Sequence, residues 1–178
     1  VYALTEYNGN LYAGTLNEYG AQVYRYVSGT TWTKVNIDGF GNPINGAIIE
    51  MTVYAGEMYA NVMYTNFPGS EIWKYNGSTW TQIDTNEIGA EGTIITDSLF
   101  THNNNLYAGI VTINSAQIWR WNGVRWGCVM TDGFGNPSNQ RMRAQETYNG
   151  KLYAGTGTFV DDAASVWSWK SIDIYPIY

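Results

Sequence analysis

NGNLYAGTLNEYGAQVYRYVSGTTW, residues 8–32, decides the fold, because the chain says it again. It returns as AGEMYANVMYTNFPGSEIWKYNGSTW at 55–80 and as NNNLYAGIVTINSAQIWRWNGVRW at 103–126. A shorter copy, NGKLYAGTGTFVDDAASVWSW, occupies 149–169. Aligning the Leu/Met-Tyr pair puts Leu11, Met58, Leu106 and Leu152 in register, 47, 48 and 46 residues apart. A period in the forties belongs to solenoids and propellers. Helical repeats of that length would show apolar residues three and four apart. Here they fall in short aromatic and β-branched runs broken by Asn-Gly and Gly, which is the chemistry of strands and tight turns.

Each unit reads as four strands. The first covers 4–7, 51–54, 99–102 and 145–148, and a turn with Asn-Gly character follows it (8–9, 55–56, 103–104, 149–150). Such a turn needs left-handed backbone and joins antiparallel neighbours. The second strand starts at Leu11 and its equivalents, with Ala-Gly at its centre in three copies, so that a neighbouring sheet can approach closely. The third is the most regular: Val23–Tyr26, 72–75, 118–121 and 166–169, each an aliphatic residue followed by alternating aromatics. A second turn, Asn76-Gly77 or Asn122-Gly123, leads to the fourth at 32–35, 80–83 and 126–129. The recurring aromatics are expected to pack successive sheets together, each burying roughly 150–250 Å².

Four short antiparallel strands, repeated radially, describe a β-propeller. The predicted fold is all-β, a single propeller domain over 1–178 with units near 1–49, 50–95, 96–142 and 143–178. Asn76-Gly77-Ser78-Thr79-Trp80 resembles a shortened Asp-box, the hairpin motif of sialidase-type propellers, with Asn in place of Asp; the repeat as a whole is distantly Asp-box- and kelch-like. That resemblance implies fold and no catalytic residue. The last unit lacks the second turn and the fourth-strand Trp. Either 170–175 supplies its last strand and closes four blades, or the ring is completed by another copy or by further sequence, which makes a homo-oligomer one expectation.

Composition narrows the partners. The net charge is −6 and the nine Lys and Arg are scattered, which argues against nucleic acid and against an anionic membrane surface. No run approaches the ~20 apolar residues of a membrane-spanning helix. With one cysteine, Cys128, and one histidine, His102, the usual zinc, Cys-His and Ser-His-Asp sets are not available. Cys128 falls in a strand-like run and reads as an inert buried thiol, while His102 stands where other copies have Tyr7, Tyr54 and Tyr148. No cofactor is implied. Low Lys with abundant Asn, Thr, Tyr and Trp suits an extracellular or cell-surface protein.

Strand alternation sends the connections after the second and fourth strands to one end of each sheet, and those are the long, variable ones: 16–21, 63–70, 111–116 and 157–165, with 36–50, 84–98 and 131–144. Long loops on a rigid scaffold are where function sits. Two of them share Asp-Gly-Phe-Gly-Asn-Pro, at 38–43 and 132–137. Three readings of this phrase stand together. It is an inherited turn with Phe tucked under it; or Phe40 and Phe134 are stacking platforms for sugar rings with Asp38, Asn42, Asp132 and Asn136 as polar partners; or it binds calcium. Arg141 and Arg143, in the last inter-unit loop, and the Asp161-Asp162 pair complete the candidates, as ion pairs or as a carboxylate grip. Arg25, Lys74 and Arg120 share one third-strand slot and suggest a scaffold role such as pairing with Glu71.

The function expected from these features is binding without catalysis: a lectin-like extracellular propeller that takes carbohydrate through its long-loop end at Asp38, Phe40, Asn42, Asp132, Phe134, Asn136, Arg141 and Asp161. A structural or self-assembling interaction module is the alternative. A glycan-processing hydrolase is the second alternative, since that chemistry needs only two carboxylates; a sialidase-like mechanism would add an arginine cluster, for which the sequence offers no clear set.

Overall fold

The Asn-Gly-type turns set the architecture. Each places two successive residues at positive φ: Asn8 and Gly9 (49° and 71°), Ala55 and Gly56 (50° and 79°), Asn103 and Asn104 (46° and 56°), Asn149 and Gly150 (49° and 72°). That backbone twist matches the twist of the strands it joins. In the computed structural model, which describes residues 1–66, 68–83, 88, 93–158 and 164–169, the strands so joined form antiparallel meanders. The first blade comprises β1 (Ala3–Tyr7), β2 (Asn10–Gly14), β3 (Val23–Ser28) and β4 (Thr31–Lys34). The second comprises β5 (Asn45–Tyr54), β6 (Glu57–Tyr64), β7 (Ser70–Tyr75) and β8 (Trp80–Ile83). The third comprises β9 (Thr93–His102), β10 (Asn105–Thr112), β11 (Gln117–Trp121) and β12 (Trp126–Met130). The fourth shows β13 (Arg141–Tyr148), β14 (Lys151–Gly157) and β15 (Ala164–Trp169); the expected last strand at 170–175 lies outside the described residues. The chain therefore adopts the all-β propeller class its repeat predicts.

Two compact units divide the chain, Val1–Thr85 and Asn86–Tyr178, each holding two blades. Within each, one blade packs on the next through the aromatics of the repeat. In the first unit Tyr7, Tyr12 and Val23 of the first blade share a core with Met51, Met58, Ala60 and Tyr75 of the second. Tyr75 meets Tyr7 and Tyr12 edge-on, with ring centroids 6.2 and 6.1 Å away. Each such pair adds roughly 0.5–1.5 kcal/mol beyond its buried area. In the second unit Phe100, Tyr107 and Ile118 pack on Met142, Leu152 and Ala154. The missing side chains of the second strand serve that approach. A Cβ on Gly14 would stand 2.6 Å from Ile48 of the next blade, and one on Gly109 would stand 2.6 Å from Met142.

The second turn of the blade is held by an asparagine where an Asp-box has aspartate. Asn76 Oδ1 accepts from the backbone N–H groups of Ser78 and Thr79 (2.9 Å each), and Asn122 Oδ1 accepts from Val124 and Arg125 (2.9 and 2.8 Å). The amide oxygen supplies the Asx-turn acceptor without a charge.

The first strands depart most from the sequence reading. In blades two to four they begin four to six residues earlier than their apolar alternation suggests, at Asn45, Thr93 and Arg141. The reason is a β-bulge. Ile48 and Glu50 pair with Val62 and Asn61, so Ile49 is extra; likewise Asp97 in β9 and Arg143 in β13. One extra residue breaks the period of two on which strand recognition rests. Arg141 and Arg143 are thus strand residues, not loop residues.

Candidate functional site

The two long loops with the shared phrase have one backbone. Gly39, Phe40 and Gly41 take φ of 57°, 58° and 92°; Gly133, Phe134 and Gly135 take 63°, 65° and 80°. Three left-handed residues in succession need a lock, and the lock is an asparagine two residues beyond the phrase. Asn45 Nδ2 donates to Gly39 O (2.9 Å), and Asn139 Nδ2 donates to Gly133 O (2.8 Å). The loop after the second strand closes it from the other side. Ala21 N–H donates to Asn45 O and its carbonyl accepts from Gly39 N–H; Ala116 does the same with Asn139 and Gly133. Asn45, Asn139, Ala21 and Ala116 are all buried. The conserved spacing of the two asparagines in both copies was the signal available in the sequence.

The residues expected to touch ligand divide between these loops. Asp38, Phe40 and Asn42 lie on the first, and Asp132, Phe134 and Asn136 on the second. Asn42 and Asn136 spend their Oδ1 atoms on turn N–H groups, those of Ile44 (3.3 Å) and Ser138 (3.1 Å). Phe40 stacks on Trp73 of β7, 4.7 Å between centroids and 22° from parallel, and meets Trp80 edge-on at 5.1 Å. Phe134 stacks on Trp167 of β15 at 5.8 Å. Both phenyl rings thus pack against the blade that follows. Phe40, Trp73 and Trp80 also line an open groove of about 530 Å³ with Asn36, Ser78 and Thr79. The two indole N–H groups are already engaged, by Glu71 Oε2 (2.7 Å) and Val35 O (3.1 Å), so the aromatics offer surface and not donors.

Asp38 accepts from Lys34 Nζ (2.6 Å) and Gln22 Nε2 (3.0 Å), and the hydrogen bond from Lys34 holds its carboxyl below the usual range. A carboxylate so held is a poor proton donor. Asp132 is exposed. Asp161 and Asp162 lie outside the described residues, as does most of the loop at 84–92. Among the described residues no group of three or more His, Cys, Asp or Glu side chains is placed to hold a metal ion.

The bulged first strands of the second unit hold a cluster that the sequence did not show. Asp97, the extra residue of β9, has a buried carboxylate. Arg141 of β13 grips it with two bonds, Nε to Oδ2 (3.2 Å) and Nη2 to Oδ1 (3.1 Å). Arg143, the extra residue of β13, adds Nε to Oδ1 at 3.0 Å. Two guanidinium groups share this one acid. The Arg143 side chain is 64% exposed, and the bond it makes to Asp97 uses only Nε–H. Fork-shaped N–H pairs of this kind match carboxylates and phosphates. Asp161 and Asp162, the acids expected beside these arginines, lie outside the described residues; the acid that meets both arginines is Asp97, at the same repeat position as Ile49 and Arg143.

Three other expectations resolve simply. Lys74 pairs with Glu57 (3.0 Å) and not with Glu71. Glu71 is buried and accepts from Asn45, Tyr64 and Trp73, so it braces the first loop from beneath. His102 is buried at the strand end, with Nδ1 2.8 Å from Thr147 Oγ1 and Nε2 3.0 Å from Asn103 Nδ2. Since the Asn103 amide nitrogen can only donate, Nε2 is the acceptor and Nδ1 carries the proton. Burial lowers the pKa of His102 and raises that of the half-buried Cys128 thiol, leaving both neutral near pH 7.

By sequence the chain matches no protein-family model and no curated protein. By structure it is similar to several solved proteins. A Hadza microbial sialidase superposes with a TM-score of 0.62 at 18% identity, over 96% of this chain and 44% of the sialidase. The acylaminoacyl peptidase of Pyrococcus horikoshii gives 0.57 at 9% identity, over 93% of this chain and 25% of the peptidase. A thermostable family-43 glycoside hydrolase gives 0.55 at 9% identity, over 95% of this chain and 68% of the hydrolase. The chain thus spans under half the length of the sialidase and of the peptidase. Identity this low carries the fold and nothing finer.

These likenesses correct one expectation. The scarcity of histidine and cysteine argued for a chain without catalysis, yet the same fold serves a sialidase and a glycoside hydrolase. Glycoside cleavage rests on carboxylates, so the missing Cys-His and Ser-His-Asp sets do not bear on it.

Proposed function

We propose that this chain is part of a glycan-processing hydrolase of β-propeller fold, and that it takes an acidic sugar at Arg141 and Arg143. The observation that carries the reading is the sharing of one buried carboxylate, Asp97, by two guanidinium groups. Asp97 orients the pair, and the exposed Arg143, which gives Asp97 its Nε–H, presents its remaining N–H groups to a substrate anion. A sugar carboxylate bound to Arg143 gains charge-assisted hydrogen bonds, worth about 1.5–3 kcal/mol each. The likeness to a sialidase supports the same substrate class, because sialic acids carry such a carboxylate. Asp38, held ionised by Lys34, is set aside as the general acid.

Titration of the chain with sialyllactose and with lactose tests the substrate class, followed by turnover of an aryl sialoside. Sialyllactose should bind and lactose should not. Arg143→Ala should weaken binding about tenfold or more, given the strength of charged hydrogen bonds. Equal binding of the two sugars, or an unaffected Arg143→Ala, would refute the proposal.

A further inference from the structure

The two loops that share a phrase are entered through different chemistry. Two residues before Asp38 stands Asn36, and two residues before Asp132 stands Met130. The Asn36 amide accepts from Val23 N–H (2.8 Å) and donates to the carbonyls of Ala21 (3.1 Å) and Ile37 (2.8 Å). Phe40 N–H then donates to Ile37 O over 2.8 Å. A thioether has no proton to donate and accepts only weakly. In the second loop Phe134 N–H nevertheless donates to Met130 Sδ, over 3.5 Å. Met130 and Phe134 also pack on the core cluster that holds Ile118, Met142 and Leu152, where the thioether fills space as an apolar group. Of the five methionines, Met51, Met58 and Met142 are buried, whereas Met63 and Met130 are partly exposed.

We infer that Met130 is an oxidation site, and that its sulfoxide loosens the loop at 132–139 together with the start of β13, where Arg141 stands. In the step a sulfur lone pair attacks hydrogen peroxide and the O–O bond breaks. One oxygen stays on sulfur and the other leaves as water, so sulfur loses the two electrons that peroxide gains. The product is polar and chiral where the thioether was apolar, in a side chain seated on a core cluster and facing an N–H group. Phe134 N–H must shift to meet it, and the Phe134 ring shifts with it against Trp167. From Asn139, which locks this loop, the chain reaches Arg141 in two residues. Cys128 lies on the same strand, but burial raises its pKa, and a thiol is attacked by peroxide as the thiolate. The consequence for Arg141 rests on the acidic-sugar reading above; the oxidation and the loosening of the loop do not.

Peroxide treatment of the whole chain, read by peptide mass mapping and by hydrogen exchange, tests the inference. Met130 and Met63 should each gain one oxygen before Met51, Met58 and Met142 do. Amide exchange over 131–141 should quicken about fivefold, as for one hydrogen bond lost. Exchange over 38–45, which holds no methionine, should stay as it was. Met63→Leu should respond as the wild type does, Met130→Leu should exchange alike before and after peroxide, and methionine sulfoxide reductase should restore the slow exchange. Oxidation of Met130 no earlier than the buried methionines overturns the inference. So does unchanged exchange in the oxidised loop, and so does a peroxide response in Met130→Leu. With sialyllactose, the oxidised chain should bind more weakly than the reduced one, and equal binding would break the link to Arg141. If neither form binds it, the acidic-sugar reading falls and that link with it, while the exchange data still decide the switch.

Discussion

The loops at 38–45 and 132–139 share six successive residues and one backbone, yet they stand in different company. In the first, Asp38 is bound by Lys34 and Gln22, Phe40 lies between two indoles, and Asn45 reaches past the loop to Glu71. In the second, Asp132 is exposed, Phe134 rests on the Trp167 indole, and the Asn139 side chain holds its own loop through Gly133 O. What is common to both is the left-handed turn and the asparagine lock. What differs is everything a ligand would meet. The shared phrase thus builds the same turn in both copies, and the neighbours of that turn differ between them.

Substitutions at the glycines should separate the two copies most. A methyl group on Gly133 would run into the carbonyl oxygens of Asn136 and Asn139, whereas on Gly39 its nearest neighbour is Gly20 Cα at 3.2 Å. Gly133→Ala should cost about 3 kcal/mol and Gly39→Ala about 1–2 kcal/mol, the usual range for strained backbone and clash. Urea unfolding measures both, and equal losses would mean that the loops are as alike in packing as in sequence.

Removing the locks comes next. Asn45→Ala takes one donor from Gly39 O and one of three from buried Glu71 and should cost about 2–3 kcal/mol; Asn139→Ala, which takes one donor from Gly133 O alone, should cost about 1–2 kcal/mol. A reversed order would show that Glu71 is content with Tyr64 and Trp73 alone.

The units also differ at the end of the first strand, where Tyr7 stands in one and His102 in the other. Burial puts the pKa of His102 below 6.5 in the folded chain, so the unfolded chain binds the extra proton first. Stability is then full above about pH 6.5 and falls as the pH drops from there toward the folded value. His102→Tyr should abolish that loss, and unfolding midpoints between about pH 7 and pH 5 read it directly. A midpoint independent of pH in the wild type would remove the point. The smallest effect is expected at Asp38→Asn, where an exposed pair is lost: no measurable change in midpoint, and none in glycan turnover if the acid lies elsewhere.

How much of this was legible in the sequence follows from which forces are periodic. The blades were, because Leu11, Met58, Leu106 and Leu152 mark the same face at a constant interval and the turns need residues that tolerate positive φ. The front halves of β5, β9 and β13 were not. Their bulges at Ile49, Asp97 and Arg143 shift the alternation by one, and buried polar residues such as Asn45 and Asp97 read as loop. The arginine cluster was hidden for the same cause: Asp97 and Arg143 are far apart in sequence and meet only because two bulges fall at one depth of the repeat. Phe40 and Phe134 were legible as aromatics of the loop, but their partners Trp73 and Trp167 follow from blade stacking.

The bulge has a further meaning. A residue that belongs to no pleat can be exchanged without disturbing the hydrogen-bonded ladder on either side, and the repeat exchanges it freely: an aliphatic side chain, an acid and a base in three successive copies. Positions 49, 97 and 143 are in effect interchangeable fittings on a fixed frame, so new specificities can be drawn from this scaffold by changing three residues while its walls stay as they are.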